Sequence, residues 1–463
     1  MENQNLFEDT KIVLTEGKDY LTRFFKSVAH EKRYEILLLL LEKSRRFKFL
    51  MEELGIKKTA LSNHLSFLTN SFLVEKEDYG IYSLSTDGHD FLHLMAIFYQ
   101  RSKFREYQIK RAVQTQYTRS YKSLMKVRKR IISLKPVLEY SWITYLGAFS
   151  GVFKSMGLEL DMTTLGGYSG YSFIVNVAKG RLCPSGITAL SPVVWKEIQK
   201  GTEEISNWKI ERIENREPYP NTFPVSDADK QRAKTFFDTI TTRIDSKDLP
   251  IILWGLPIPE YGIVLGYEGD SYICSTFRHL NNLPETPIKY DQLQAPGSLH
   301  AFALKDELKE KSTDIDYNAI LRALNLMNDE MAQLDYVLGP LAYKEWADVL
   351  ENYTLDETAY HGNSLIGGCA REASNLASKF LKNLTDKYTD LPQSLYLLKA
   401  SEEYKRIEEL MNDFVDIFPF ALEGSFDRDQ RKSGAKILRE AFSHKMIAKK
   451  NLDASIKNWN TNR

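Results

Sequence analysis

Cysteine is scarce: the 463-residue chain has only Cys183, Cys274 and Cys369, each about ninety residues from the next. That spacing excludes a disulfide framework and a CxxC metal knuckle, and it predicts life in a reducing compartment. Long apolar runs are also missing. The most apolar stretch, Ile36 to Leu41, is far shorter than the ~20 residues a membrane-spanning helix needs. The opening MENQNLFEDTKIVLTEGKDY has no basic segment followed by an apolar one, so a cytoplasmic protein with no membrane partner is expected. Low-complexity tracts are lacking too, and 43% hydrophobic and 12% aromatic residues suffice to build cores. Net charge is zero, with 62 basic and 62 acidic residues, which excludes a uniformly basic protein.

What is present is unevenly placed. Residues 101–135 hold 12 basic residues against the single acid Glu106, a local charge of +11. Residues 1–135 sum to +9 and the remainder to −9, so the first part is where a polyanion would bind. The length favours several domains.

From Tyr20 to Glu42, Phe24, Val28, Ile36, Leu37 and Leu40 recur at helical spacing, with His30 and Glu31 at a break between two helices. Phe47 to Leu54 forms a further helix-sized segment that stops at Gly55. In the following IKKTALSNHLSFL, Ala60, Leu61, Leu65 and Leu68 can face a core while Lys57, Lys58, Thr59, Ser62, Asn63 and His64 point outward. Short hydroxyl and amide groups reach base edges and phosphates, and lysines neutralise backbone charge, so these six are candidate DNA contacts on a major-groove helix. Phe72 to Leu84 reads as two strands around Asp78 to Gly80, a hairpin wing whose Glu75, Glu77 and Asp78 suit it poorly to probe a minor groove.

VAHEKRYEILLLL, MEELGIKKTALSNHLSFL, the hairpin and LSTDG occur together over about residues 20–100, and in that order they resemble the ArsR-type winged helix-turn-helix family. The resemblance implies a DNA-binding regulator acting as a homodimer. Many members sense metals, but the thiolate site is missing because Phe47 to Leu54 has no cysteine. Asp87 and His89 match the start of the family's other site, whereas Gln100 and Lys103 stand where the second ligand pair would fall. Half a ligand set does not hold a transition metal, and no metal or other cofactor is expected. His89 and His93 read as a surface or interface pair.

Between His89 and Lys135 there is neither glycine nor proline, which predicts one helix or two over the basic connector. Phe104, Tyr107, Tyr117, Tyr121 and Leu124 form an apolar stripe for packing in a homodimer. Arg119, Lys122, Lys126, Arg128, Lys129 and Arg130 are assigned as phosphate contacts flanking the recognition helix.

From Tyr140 glycine and aromatic residues become dense, and strand-like runs SFIVNV, PIILWGL and YGIVLGYE follow. This is α+β sequence. From Asp314 onward helical periodicity returns, with amphipathic segments at Ala319 to Leu334, Ala342 to Leu350, Ala370 to Leu384 and Ala400 to Phe414. WITYLGAFSGVFKSMG, LGGYSGYSFIV, RLCPSG, PIILWGLPIPEYGIVLGYEGDSY, AYKEWADVLEN, GNSLIGGCAREASNLASKFLKNL and FVDIFPF, in this order, resemble the family of the butirosin-biosynthesis H protein. That family pairs a papain-like cysteine-peptidase fold with a helical region and implies acyltransfer. Its pattern would put the nucleophilic cysteine at Thr144 and its histidine partner at Tyr261, and neither residue can play that part at neutral pH. Cys183 has no obvious histidine and reads as a structural thiol. No catalytic residue is therefore assigned.

The expected architecture is multidomain: a mainly α winged helix-turn-helix at residues 1–100, a long helical connector at 101–135, an α+β papain-like sensor domain at 136–310 and a helical region at 311–463. The expected function is a ligand-responsive, one-component transcriptional regulator on a double-stranded DNA operator, controlled by a catalytically silent binding domain. Trp142, Thr144, Tyr145, Tyr168, Tyr171, Trp254 and Tyr261 are the candidate contacts for a small-molecule or peptide effector, since aromatic rings provide area and tyrosine hydroxyls direction. Two rivals stand beside it: an acyltransferase or amidohydrolase with a fused DNA-binding domain, and a scaffold using both modules for protein contacts.

Overall fold

A computed structural model of the chain describes residues 11–12, 14–77, 80–101, 128–215, 217–220, 224–310, 312–355, 357–421 and 424–460. The chain divides into two compact units, Met1–Lys126 and Val127–Arg463.

In the first unit, α1 (Lys18–Val28) stops where His30 starts α2 (Glu31–Glu42). His30 Nδ1 accepts from the Lys32 amide at 3.1 Å, satisfying one of the donors that a helix start leaves unpaired. Ile36, Leu37 and Leu40 of α2 are buried. Next, α3 (Phe47–Leu54) ends on Gly55, which takes the left-handed conformation at φ 62°, the usual glycine C-cap. Then α4 (Lys58–Asn70) buries Leu61, Leu65 and Leu68, one apolar residue per turn. Strands β1 (Arg45–Arg46), β2 (Val74–Glu77) and β3 (Ile81–Leu84) form an antiparallel sheet in the order β1-β3-β2. The wing tip at residues 78–79 lies outside the described residues.

LSTDG is a structural phrase. Ser85 Oγ accepts from the Gly88 amide at 3.0 Å and caps α5 (Thr86–Arg101). At Gly88 a Cβ would lie 2.2 Å from the Leu73 carbonyl oxygen, so only glycine lets the helix start against the sheet.

The second unit is built on an antiparallel sheet of β4 (Lys129–Ile131), β6 (Trp208–Asn215), β7 (Ile251–Trp254), β8 (Tyr261–Glu268), β9 (Ser271–Ser275), β10 (Ile288–Lys289) and β11 (Leu299–Glu307). The order is β10-β9-β8-β7-β11-β6, and β4 pairs with the end of β8 beyond β7. The ladder shifts between Val264 and Gly266. That bulge changes which side chains face each side. Before it, Tyr261 and Ile263 meet α6 (Thr144–Ser155); after it, Tyr267 meets Asp245 on α9 (Asp227–Lys247).

Two more helices, α7 (Met162–Ser169) and α8 (Pro192–Ser206), pack against each other beside the sheet. The helical region comprises α10 (Ile315–Asn325), α11 (Pro340–Asn352), α12 (Glu357–Lys387), α13 (Pro392–Ile417) and α14 (Arg428–Asn460). Its core is aromatic, with Tyr343, Trp346, Tyr404 and Phe414 all buried. A two-stranded ladder joins β5 (Asn176–Ala178) to β12 (Tyr336–Leu338).

Two expectations need correction. The helix expected over residues 101–135 lies largely outside the described residues, at 102–127, and its expected end is not helical, because Lys129 to Ile131 form an edge strand on β8. The helix expected over Ala319 to Leu334 stops at Asn325, and the tail includes a strand, β12. The last helix, Arg428–Asn460, falls within the stretch read as helical from Asp314 onward, and its richness in charge leaves an apolar stripe too thin to stand out as a segment of its own. No helix among the described residues is long and apolar enough to cross a membrane.

Candidate nucleic-acid interface and an aromatic cavity

The burial of Leu61, Leu65 and Leu68 turns the opposite side of α4 outward, and Lys57, Lys58, Thr59, Ser62 and Asn63 are exposed there. No side chain caps the start of the helix at Lys57, so its first amide groups remain available to an anion. His64 departs from this set. It is half-buried, and its ring lies 4.6 Å from that of His30; burial, then the charges of His30 and Arg33, lower its pKa. Arg33 in turn donates to the Ser27 carbonyl at 2.7 Å and covers the Phe67 ring at 4.7 Å. His64 thus helps seat α4 on the α1–α2 junction.

The basic connector residues divide in two. Arg119, Lys122 and Lys126 lie outside the described residues, as does the apolar stripe from Phe104 to Leu124. Arg128, Lys129 and Arg130 belong to the sheet of the second unit, where Arg128 pairs with Asp245, Lys129 with Glu268 at 2.9 Å and Arg130 with Asp248 at 2.6 Å. Each of these charges is paired with a carboxylate of the second unit at the surface. His89 and His93 are exposed on α5.

In the second unit, Thr144 opens α6 and Tyr261 opens β8, and the Tyr261 amide donates to Thr144 Oγ1 at 3.1 Å. Tyr145, Tyr171, Trp254 and Tyr261 gather in one buried aromatic cluster with Trp195 and Phe302. Two expected contacts lie elsewhere. Tyr168 donates to Asp316 at 2.5 Å and packs on Phe380, and Trp142 packs on Phe420 and Gly368. Burial raises the pKa of Tyr145, Tyr171 and Tyr261, as expected of core phenols. Cys183 is half-buried, 2.8 Å from Ser185 Oγ.

Beside this cluster lies a cavity of about 620 Å³. Of the seven candidate effector contacts only Trp254 lines it; the lining also includes Trp195, Lys196, Arg212, Glu214, Ser298 and His300. Arg212 and Glu214 sit on β6 opposite Phe302 and His300 of β11. Arg212 donates to Glu214 at 2.8 Å, and its guanidinium lies 5.1 Å from the Trp195 ring and 5.6 Å from that of Phe302. His300 stacks on Trp254 at 5.7 Å. Its Nδ1 lies 3.1 Å from Ser298 Oγ and 3.2 Å from the Ser298 carbonyl oxygen, and its Nε2 shares a hydrogen bond with the Tyr261 hydroxyl at 2.8 Å. Burial, then the charge of Arg212, pushes its pKa down to about 3 and keeps it neutral. The strand carries a sign of this site: in WKIERIEN, Arg212 and Glu214 share the side of buried Ile210, where an ordinary sheet would place apolar residues.

Residues 30–76 match the model for the bacterial regulatory protein, ArsR family. No curated protein matches the chain. Among solved structures, reduced HlyU from Vibrio cholerae is similar at 26% identity with a TM-score of 0.17, covering 19% of this chain and 93% of that one. With its buried leucines and exposed polar edge on α4, the segment from residue 30 to 76 is an ArsR-family helix-turn-helix, the DNA-binding part of a transcriptional regulator.

Proposed function

We propose that the protein is a one-component regulator in which the second unit binds a small effector and thereby alters the affinity of a dimer for a palindromic operator. The observation that carries DNA binding is the exposed row Lys57, Lys58, Thr59, Ser62 and Asn63 on a helix anchored by three buried leucines. Dimerisation is supported by large apolar side chains left exposed on α1 and α5, among them Phe25, Leu94 and Phe98. An effector role for the second unit is supported by the cavity, whose volume suits a small organic ligand.

The second unit is proposed to be catalytically silent. The sequence resemblance would put a thiol and an imidazole at positions 144 and 261; this chain has Thr144 and Tyr261 there, and the Tyr261 amide donates to the Thr144 hydroxyl. The neighbouring His300 is held neutral and uses both ring nitrogens within the fold. An electrophilic thiol probe should therefore give no labelling that distinguishes the wild type from a reactive-site knockout; strong labelling abolished by Cys183→Ala would favour an enzyme.

The test of the regulator itself is an electrophoretic shift on DNA upstream of the protein's own gene at moderate salt. Sequence-specific retardation is expected, and Lys58→Glu should weaken it at least tenfold. Retardation equal on unrelated DNA would overturn the proposal.

A further inference from the structure

The cavity of the second unit holds more positive charge than the fold itself uses. Arg212 spends one nitrogen on Glu214, while its Nε and Nη1 are buried with no hydrogen-bond partner among the described residues. A buried donor left in this state costs free energy that a bound acceptor would recover. Lys196, exposed on α8, lines the same cavity. With His300 neutral, the lining carries two positive charges against the single carboxylate of Glu214. Glu214 would repel a dianion, so a single negative charge fits best. The indoles of Trp195 and Trp254 together with Leu190, Pro192 and Pro296 supply an apolar part of the wall, and uncharged polar groups, among them Gln199, Gln333 and Tyr336, line the rest. Tryptophan offers large stacking area, and arginine binds carboxylates with directed, charge-assisted hydrogen bonds.

From this geometry we infer that the cavity binds a planar organic monocarboxylate, its carboxylate on Arg212 and its ring system against Trp195 and Trp254. The inference rests on the effector role proposed above and names the class of molecule.

Calorimetric titration of the full chain with 2-naphthoate and its uncharged counterpart 2-naphthamide tests it. The acid should bind once per chain, and the amide at least tenfold more weakly. Arg212→Met should remove this preference, and Lys196→Gln, at an exposed position with no role in the core, should weaken the acid several-fold. Equal binding of acid and amide, no binding of naphthoate at millimolar concentration, or wild-type affinity in Arg212→Met would overturn the carboxylate site. DNA retardation in the same samples separates the two proposals. Naphthoate binding that leaves DNA affinity unchanged supports the carboxylate site and overturns the effector role. DNA affinity that responds to other compounds, in a protein that does not bind naphthoate, overturns the carboxylate site alone.

Discussion

His300 shows how one buried side chain ties the cavity to stability. The folded protein keeps it neutral down to about pH 3, whereas in an unfolded chain it protonates below its ordinary value of 6.5. Between those values the unfolded state binds more protons, so stability contributed by neutral His300 is lost as pH falls through that window. Glu260 acts in the opposite sense. Burial raises its pKa from 4.5 to about 7, so the folded state binds more protons there and stability falls as pH rises. The two effects oppose each other over their shared range, and wild-type denaturation alone will show a shallow slope. His300→Gln removes one of them. The stability difference between wild type and this variant should narrow by about 1.4 kcal/mol for each pH unit below 6.5, as read from urea unfolding at several pH values. A difference independent of pH would mean that His300 titrates normally in the fold.

At the level of the element, α4 separates two jobs that mutation can distinguish. Ser62 and Asn63 sit on the exposed edge with groups able to read bases, while Lys57 and Lys58 offer charge alone. Asn63→Ala should relax sequence preference and leave the salt dependence unchanged; Lys58→Ala should weaken binding to all sequences alike and reduce the salt slope by about one. Titrations of specific and scrambled duplexes at several salt concentrations would show it, and identical effects of both variants would contradict the division. This helix was legible in the sequence because its information is local: leucines a turn apart, a glycine stop before it and polar residues between. The strand β4 was not. Lys129 to Ile131 look like helix in composition and become an edge strand only because β8, more than 130 residues later, offers them backbone partners and Glu268 a charge. The cavity was hidden for the same reason. Arg212 and Glu214 meet Phe302 and His300 through a register between strands almost 90 residues apart, and no local spacing announces that meeting. The aromatic residues that did stand out in the sequence, Tyr145, Tyr171 and Tyr261, proved to be the core behind the cavity wall.

For the whole molecule, separate cores imply separate unfolding. The core of the first unit, built around Leu37, Leu61, Leu65 and Leu68, shares no residue with the clusters of the second. Two compact units with independent cores need not melt together, and calorimetry of the full chain should resolve two transitions. Each can be assigned by one substitution. Leu61→Ala leaves a hole in a fully buried site and should destabilise the first unit by about 2–5 kcal/mol. Lys445 lies buried on α14, its Nζ 4.5 Å from the Tyr404 ring, and burial pushes its pKa down to about 7. Unfolding returns that amine to water, where it protonates up to about pH 10.5, so the fold bears a penalty at neutral pH that disappears as pH rises through the window. Methionine has a similar shape and no charge. Lys445→Met should therefore raise the second transition, by on the order of 4 kcal/mol at pH 7, and its advantage should vanish near pH 10.5. Because the one-component regulator proposed above needs each unit to change state without unfolding the other, the decisive result is the cross-effect. Leu61→Ala should leave the second transition in place, and Lys445→Met the first; a single transition moved by both substitutions would show one cooperative body in place of two.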